Sequence, residues 1–512
     1  MTNYLDSYKS IFLDITLKDF WTVFSIIHNE NNLQERDKCI NELIYFWSRH
    51  ASCPRHSPVS FYLPVLCVRT GFDLFLRLNN FPSNSQIIMS AVNIPSMITL
   101  VQYHKLTVVP CDIDRTSTGS SVENVEKLIT HKTVAIVFAH IYGRCYDVSK
   151  LIDLADKYNL YFIEDCAECF SGFCSCNVQM QNQSDNKITN NNQIQLLTSH
   201  RYYPTNLYCH TRLSSADTEI KTDDNQLENQ KLCYLGHPRS HLVMFSFGVL
   251  KFCTALGGGL VKISNYDLYM RMKTLYENDP VQITEQYYLN VKKYFYLYWL
   301  LNIPHIIKPL MYIVRYFQIN HMEYAIERLR AFSKTQSTEQ VFSYIRRQPC
   351  KALLVFLLKR FQSYDYELID IQREKALYVL RHLNESNSLK FVGMNASVRN
   401  FWLFPIIVQK PDLFVRLLSK SHIDAYRGTT QLNVATKQLT GTSIVLPSSN
   451  DSVPTNISEQ QIYSCPKAEN LIDHVIYLPV NRLVPYNVLD QLINVVNNIA
   501  KQIDQYAIKS KL

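Results

Sequence analysis

The sequence predicts an α/β protein: a three-layer α/β/α large domain built on a mostly parallel sheet, followed by a smaller C-terminal α/β domain. Two observations lead there. Apolar runs of strand length alternate with helical segments from residue 85 to residue 165, the pattern of a parallel sheet covered on both faces. The 512 residues, 47% of them hydrophobic, also suffice for one large core and a second one.

Residues 1–60 read as a helical preface, because Phe20, Trp21, Phe24 and Ile27 recur at helical spacing and Leu43 to Trp47 cluster. The large domain is expected over 61–290. Within it Ser85 to Met89, Thr107 to Asp112, Thr133 to Ala139 and Leu160 to Glu164 read as strands, and Val148 to Tyr158 as the helix leading into the last of them. Between 176 and 232 the composition turns to Asn, Gln, Ser, Thr and Asp. Such a stretch buries too little apolar surface to offset its ordering entropy, so a mobile surface insertion is expected. Residues 291–335 read as a hydrophobic helical hairpin broken at Pro304 and Pro309. Lys292, Lys293, Lys308 and Arg315 interrupt it, so no run reaches the roughly 20 apolar residues of a membrane span. Two readings stay open for 294–317: buried helices, or a segment that touches a membrane surface through Tyr and Trp while its lysines snorkel. The remainder, 336–512, is expected to form the small domain, with helices over Cys350 to Phe361 and Tyr366 to Leu383 and a strand over Asn400 to Val408.

Fifty-two basic against 44 acidic residues give a net charge of +8, spread along the chain, which argues against a nucleic-acid partner. The 14 cysteines show no paired zinc spacing. Cys166 and Cys169 form a lone CxxC, read as structural or free thiols ahead of a metal site, and no metal is expected. Neither a basic nor an apolar leader opens the chain, so a cytoplasmic, reducing location fits the thiols, with membrane association left to the hairpin.

Ligands of open parallel sheets gather beyond the carboxyl ends of the strands. Asp165 closes the run Ile163-Glu164-Asp165; it either caps the next helix or holds a protonated ring nitrogen in place. Further along, Lys251 follows Phe245-Ser246-Phe247-Gly248-Val249-Leu250 and precedes three consecutive glycines, Gly257 to Gly259. A lysine in so apolar a setting is expected to have a depressed pKa and to serve as a Schiff-base amine; taken alone, without support elsewhere in the chain, it fits a solvated turn better. Ser246 can donate to a phosphate, and the glycines let backbone pass close to the site. Thr70 and Gly71 sit in a turn that opens a helix, where an anion is well placed.

Taken in order, Arg69-Thr70-Gly71, Ile87-Ile88-Met89, Val108 to Asp114, Ala139-His140-Ile141-Tyr142-Gly143, Ile163 to Glu168, Phe245 to Lys251 and Ala468 to Val480 resemble the landmarks of the DegT/DnrJ/StrS family of pyridoxal-phosphate-dependent sugar aminotransferases. The resemblance covers roughly residues 60 to 500, apart from the polar insertion and the hairpin. It implies the fold-type I architecture and pyridoxal 5'-phosphate as cofactor. Lys251 would be the Schiff-base lysine and proton shuttle, Asp165 the partner of the pyridine nitrogen, Ser246, Thr70 and Gly71 phosphate ligands, and Glu168 a neighbour of the ring hydroxyl. It further implies an amino donor such as glutamate, a nucleotide-linked keto-sugar acceptor and a homodimer. Relatives that run dehydration on the same scaffold carry histidine in place of the lysine, and Lys251 argues against that branch. Three departures stand out. Asn93-Ile94 occupies the place of a stacking aromatic, Tyr344-Ile345-Arg346 that of a motif reaching into the neighbouring subunit, and the acid before the glycines is replaced. The first two, together with the Tyr-rich hairpin, motivate the alternative of a catalytically divergent relative that acts as a binding or membrane-associated protein.

Overall fold

The computed structural model describes residues 8–10, 12–32, 34–51, 60–173, 234–302, 337–427, 432–441 and 463–509. The polar stretch 176–232 and the hairpin beyond residue 302 lie outside the described residues.

Seven strands form the central sheet: β1 (Phe61–Val65), β2 (Gln86–Ser90), β4 (Thr107–Cys111), β5 (Thr133–Ala139), β7 (Tyr161–Asp165), β8 (Leu242–Ser246) and β9 (Gly259–Ile263), in the order β1-β9-β8-β7-β5-β2-β4. Neighbours from β4 through β8 run parallel, whereas β9 pairs antiparallel with both β8 and β1. The mostly parallel α/β sheet is therefore as expected, with an antiparallel edge that the sequence patterns did not announce. Ala139 lies opposite Asp165, and Asp165 opposite Met244, so the carboxyl ends of β5 and β7 come level and β8 runs two residues further, to Ser246. The turn that carries Lys251 fills the short connection from β8 to β9.

The helices cover both faces. Helix α1 (Leu17–His28) starts with a capping box in which Thr16 and Asp19 satisfy each other's backbone N–H. Its Phe20 packs against Phe295 of the helix Thr284–Asn302, with ring centroids 5.4 Å apart. Helix α2 (Arg36–Ala51) buries Trp47 against Phe245, Phe247 and Phe361, so the N-terminal preface is part of the core behind the lysine strand. Helix α3 (Val68–Asn79) lies directly on β9: a Cβ added to Gly71 would come 2.5 Å from Val261 Cγ2. No described helix is long and apolar enough to cross a membrane.

A second sheet, antiparallel in the order β10 (Leu389–Phe391), β12 (Pro405–Val408), β14 (Val475–Tyr477), makes the C-terminal unit with helices Glu367–His382, Pro411–Lys420 and Tyr486–Lys509. Its separate core includes Val379, Ile406, Phe414, Ile476 and Leu492. Helices Thr338–Ile345 and Lys351–Ser363 instead join the large domain, Ile345 packing in one core with Phe72 and Phe356 in another with Trp47. The C-terminal unit thus begins its own core at the helix Glu367–His382, not at residue 336. Two short pairings tie the units together: β11 (Val398–Arg399) with β6 (Arg144–Cys145), and β13 (Asn433–Val434) with β3 (Val92–Asn93).

One buried carboxylate underpins the middle of the sheet. Glu164 of β7 is fully buried and accepts from His237 N at 2.7 Å, Ser240 Oγ at 2.5 Å, the Tyr234 hydroxyl, and His140 Nε2 at 2.9 Å. Burial alone would raise its pKa; His140 and the surrounding hydroxyls win and hold it down at about 2. Glu164 therefore contributes stability that is fully present above its ordinary value of 4.5 and is lost as the pH falls through the folded value. Glu164→Gln leaves donors without an acceptor and is expected to cost roughly 3 kcal/mol in urea unfolding at pH 7. The gap to the parent chain should narrow between about pH 4.5 and pH 2; a gap independent of pH would show that the ionised carboxylate is not what the four donors hold.

Candidate active site

Beyond the carboxyl ends of β5, β7 and β8 the chain opens a cleft. Asp165, Glu168, Ser246 and Lys251 all line it, so four of the six residues singled out in the sequence meet there.

Lys251 reaches the cleft from a tight turn in which its own N–H donates to Gly248 O at 3.0 Å. Its Nζ lies 3.4 Å from Glu168 Oε1 and 3.8 Å from the centre of the Trp402 ring. Carboxylate and aromatic face together hold a cation there. Glu168 is oriented in turn by Tyr142 N, which donates to its Oε2 at 2.7 Å. Asp165 projects from the end of β7 and accepts from Ala167 N at 3.0 Å, so it does cap the following turn while still facing the cleft. Burial, reinforced by the nearby Glu168 charge, pushes its carboxyl up to about 6 against the opposing pull of Lys251 and His140. Ser246 Oγ is 3.4 Å from Gly248 N, at the edge of hydrogen bonding.

Thr70 and Gly71 do not line the cleft. The Thr70 hydroxyl donates to Ile345 O at 2.7 Å, and both residues' N–H groups turn back to Cys67 O. Cys67, Val68 and Arg69, at the mouth of α3, line it instead. Cys67 makes no side-chain cap to the helix, which leaves the α3 N-terminus facing the cleft as an anion-binding end. Ile94 lines the cleft where a stacking aromatic was sought. Tyr344-Ile345-Arg346 is engaged within the same chain, Arg346 donating to both oxygens of the buried Asp73 at 2.9 and 3.1 Å.

Several groups were missed in the sequence. Trp402 sits in a stretch read as plain strand; the structure has β12 start only at Pro405. Asn93 and His140 line the cleft, and Asn93 Nδ2 and His140 Nδ1 are buried with no partner among the described residues. His140, Glu164 and Cys166 bring ligand atoms within 4.8 Å of one another, but the Glu164 oxygens are occupied by four donors, so the group reads as a hydrogen-bonded nest.

Residues 70–176 match the DegT/DnrJ/EryC1/StrS aminotransferase family, whose landmarks the sequence resembles. Over 82 residues the chain is 42% identical to the GDP-perosamine synthase of Vibrio cholerae, covering 16% of this chain and 22% of that protein. Against the GDP-perosamine synthase of Escherichia coli O157:H7 it is 34% identical over 100 residues, 20% of this chain and 28% of that one. These matches span under a third of the relatives' length. The whole fold is similar to that of Helicobacter pylori PseC, an aminotransferase involved in the biosynthesis of pseudoaminic acid, with a TM-score of 0.57 and 13% identity over 97% of this chain and 99% of that one. The fold is likewise similar to that of the sugar aminotransferase CalS13 of Micromonospora echinospora, with a TM-score of 0.54 and 14% identity over 96% of this chain and 99% of that one.

What lets Trp402 approach Lys251 is a glycine. Gly143 has φ +70°, and a Cβ there would lie 1.7 Å from Asn400 Oδ1 and 2.7 Å from Trp402 N. Asn400 in turn donates to Glu168 O and Phe170 O and accepts from Trp402 N at 2.9 Å. Gly143→Ala is expected to lower stability by about 2 kcal/mol or more in denaturant unfolding and to expose Trp402, read as a red shift in emission. Gly248→Ala, whose Cβ would meet only Ser246 Oγ at 3.4 Å, should do neither.

Proposed function

We propose, for a chain whose residues 70–176 carry the signature of this aminotransferase family, that it is a pyridoxal-phosphate-dependent aminotransferase. It would take an amino group from an amino acid such as glutamate and deliver it to a keto-sugar carried on a nucleotide, working as a homodimer. The observation that carries the reading is the meeting of one lysine amine and one buried carboxylate at the ends of adjacent parallel strands, with the open N-terminus of α3 beside them.

The cleft's chemistry fits the cofactor. A lysine suits an aldehyde, a buried carboxylate a protonated ring nitrogen, and helix amides with a hydroxyl a phosphate. Asn93 Nδ2 and His140 Nδ1, unpartnered among the described residues, add polar groups that call for a ligand or water. Lys251, Asp165, Ser246, Glu168 and the first turn of α3 would hold it, with Cys67, Val68 and Arg69 nearer than Thr70 or Gly71. When bound, pyridoxal phosphate supplies the electron sink that acidifies the amino acid's α-hydrogen.

This chain's own groups do the rest. Lys251 has the amine that attaches the cofactor and then moves a proton at the substrate carbon. Glu168 and Trp402 confine that amine to one position and keep water from two of its sides. Asp165 keeps a proton at the ring nitrogen, which its buried, cation-seeking carboxylate favours. Nine cysteines among the described residues are unpaired, in keeping with a reducing cytoplasm.

The direct test is mass spectrometry after borohydride reduction of the holoprotein. The cofactor's mass should stay on the peptide that contains Lys251, and Lys251→Ala should lose both the label and the yellow colour; a label elsewhere, or none, refutes the reading. A second test turns on Asp165. Since its folded pKa lies above the ordinary 3.8, its ionisation destabilises the cofactor-free fold as the pH rises through 6, by up to about 3 kcal/mol at pH 8. Asp165→Asn should therefore raise the melting temperature of the cofactor-free protein at pH 8, but not at pH 4, while lowering transamination by about two orders of magnitude or more.

A further inference from the structure

The turn that presents Lys251 is held in a backbone conformation it would not choose. Cys253, two residues on, has φ +54°, a left-handed conformation that costs a residue with a Cβ and persists only where its surroundings over-determine it. Most hydrogen bonds inside the turn close locally: Lys251 N to Gly248 O, and Thr254 Oγ1 to Phe247 O and Gly248 O. The Cys253 N–H instead donates to Asp14 Oδ2 at 2.8 Å, across most of the large domain's sequence.

Asp14 is 3% exposed and saturated. Its Oδ2 also accepts from the Tyr364 hydroxyl at 2.5 Å, its Oδ1 from Arg482, and its backbone carbonyl from Arg360 at 2.9 Å. Arg360 then donates through Nε to Thr254 O at 3.0 Å, so the peptide group before Cys253 and the one after Thr254 are both fixed from outside the turn. Arg482 belongs to the C-terminal unit. One side chain of the N-terminal preface thereby joins the lysine turn to both units of the fold, although Asp14 is not among the residues that line the cleft.

We infer that Asp14 is a positioning residue for Lys251: by capturing the Cys253 N–H it fixes the left-handed turn that delivers the amine onto Glu168 and Trp402. The inference rests on the proposed role of Lys251. Without Asp14, Cys253 relaxes toward an ordinary conformation, the Lys251 Cα moves, and the amine loses its place. A misplacement of about 1 Å at a reacting group is worth about 100-fold in rate.

The test uses the full-length holoprotein with Asp14→Asn, Asp14→Ala and the double variant Asp14→Ala/Cys253→Gly. Asp14→Ala should lower kcat by about 100-fold with KM within about threefold. The double variant should recover most of that loss, because glycine adopts the left-handed turn without help; a general loss of stability would not be repaired by a glycine. Hydrogen exchange on the cofactor-free protein supplies a readout independent of activity. Amides in the 250–256 peptide should exchange about tenfold faster in Asp14→Asn, which keeps the residue's size should Asp14→Ala fail to fold. Unchanged exchange there, or a double variant no better than Asp14→Ala, overturns the inference. If borohydride fails to attach the cofactor to Lys251 in the unmodified protein, it is the role of Lys251 that falls, while the exchange result still decides whether Asp14 holds the turn.

Discussion

Two adjacent carboxylates leave strand β7 on opposite faces, and the site depends on their being different. The pleat sends consecutive side chains to opposite sides of a sheet, so Glu164 and Asp165 enter different surroundings, with His140 the one neighbour that acts on both. Glu164 enters a nest of four donors and is ionised down to about 2. Asp165 enters the cleft, with one backbone donor and little water, and is lifted to about 6. Neutralising donors on one side and their scarcity on the other set the difference; distance from solvent does not, since both residues are buried. The first carboxylate anchors Tyr234, His237 and Ser240, the residues by which the chain re-enters the sheet before β8. The second is left wanting a cation.

Around that pair the fold is arranged so that no single element owns the site. Lys251 comes from the turn between β8 and β9, Glu168 from the loop after β7, Trp402 from the approach to the C-terminal sheet, and Asp14 from the preface. The contact of Trp402 with the amine is worth on the order of 1 kcal/mol by itself. Its geometric role is larger, because the Asn400 hydrogen bonds that seat it also bind the carbonyls of Glu168 and Phe170. Moving the C-terminal unit would therefore disturb the lysine and its carboxylate together.

Legibility in the sequence followed the range of the interaction. Strands β2, β4, β5 and β7 were readable to within a residue or so, since a strand buried on both faces is an uninterrupted apolar run. Asp165 could be found because it closes such a run, and Ser246 and Lys251 because an apolar stretch and three glycines surround them and the landmarks fall in family order. Glu168 was recognisable only by resemblance. Thr70 and Gly71 illustrate the limit: both look like anion ligands at a helix start, yet Gly71 serves the packing of α3 on β9, and the Thr70 hydroxyl is taken by Ile345 O. Whether α3 begins at Val68 or two residues later decides which amides face the cleft, and helix starts are what local pattern fixes least. Trp402 and Asp14 gave no local signal. Their partners lie far away in sequence, and nothing nearby distinguishes them from ordinary strand or loop residues.

The lysine turn explains why the preface cannot be a detachable addition. A left-handed Cys253 and a left-handed Leu256, φ +54° and +59°, stand within one short connection, and neither is glycine although glycines follow at once. Local sequence would relax such a turn; it holds because Asp14, Arg360 and Tyr287 bind its peptide groups from three separate helices or segments, Tyr287 through its hydroxyl to Ala255 O at 2.8 Å. Strain kept in place by distant partners makes the amine's position a property of the whole fold. A chain that lost residues 8–51 would forfeit both the Asp14 acceptor and the packing of Trp47 behind Phe245 and Phe247, so the strand and the turn that carry Lys251 would lose their support together.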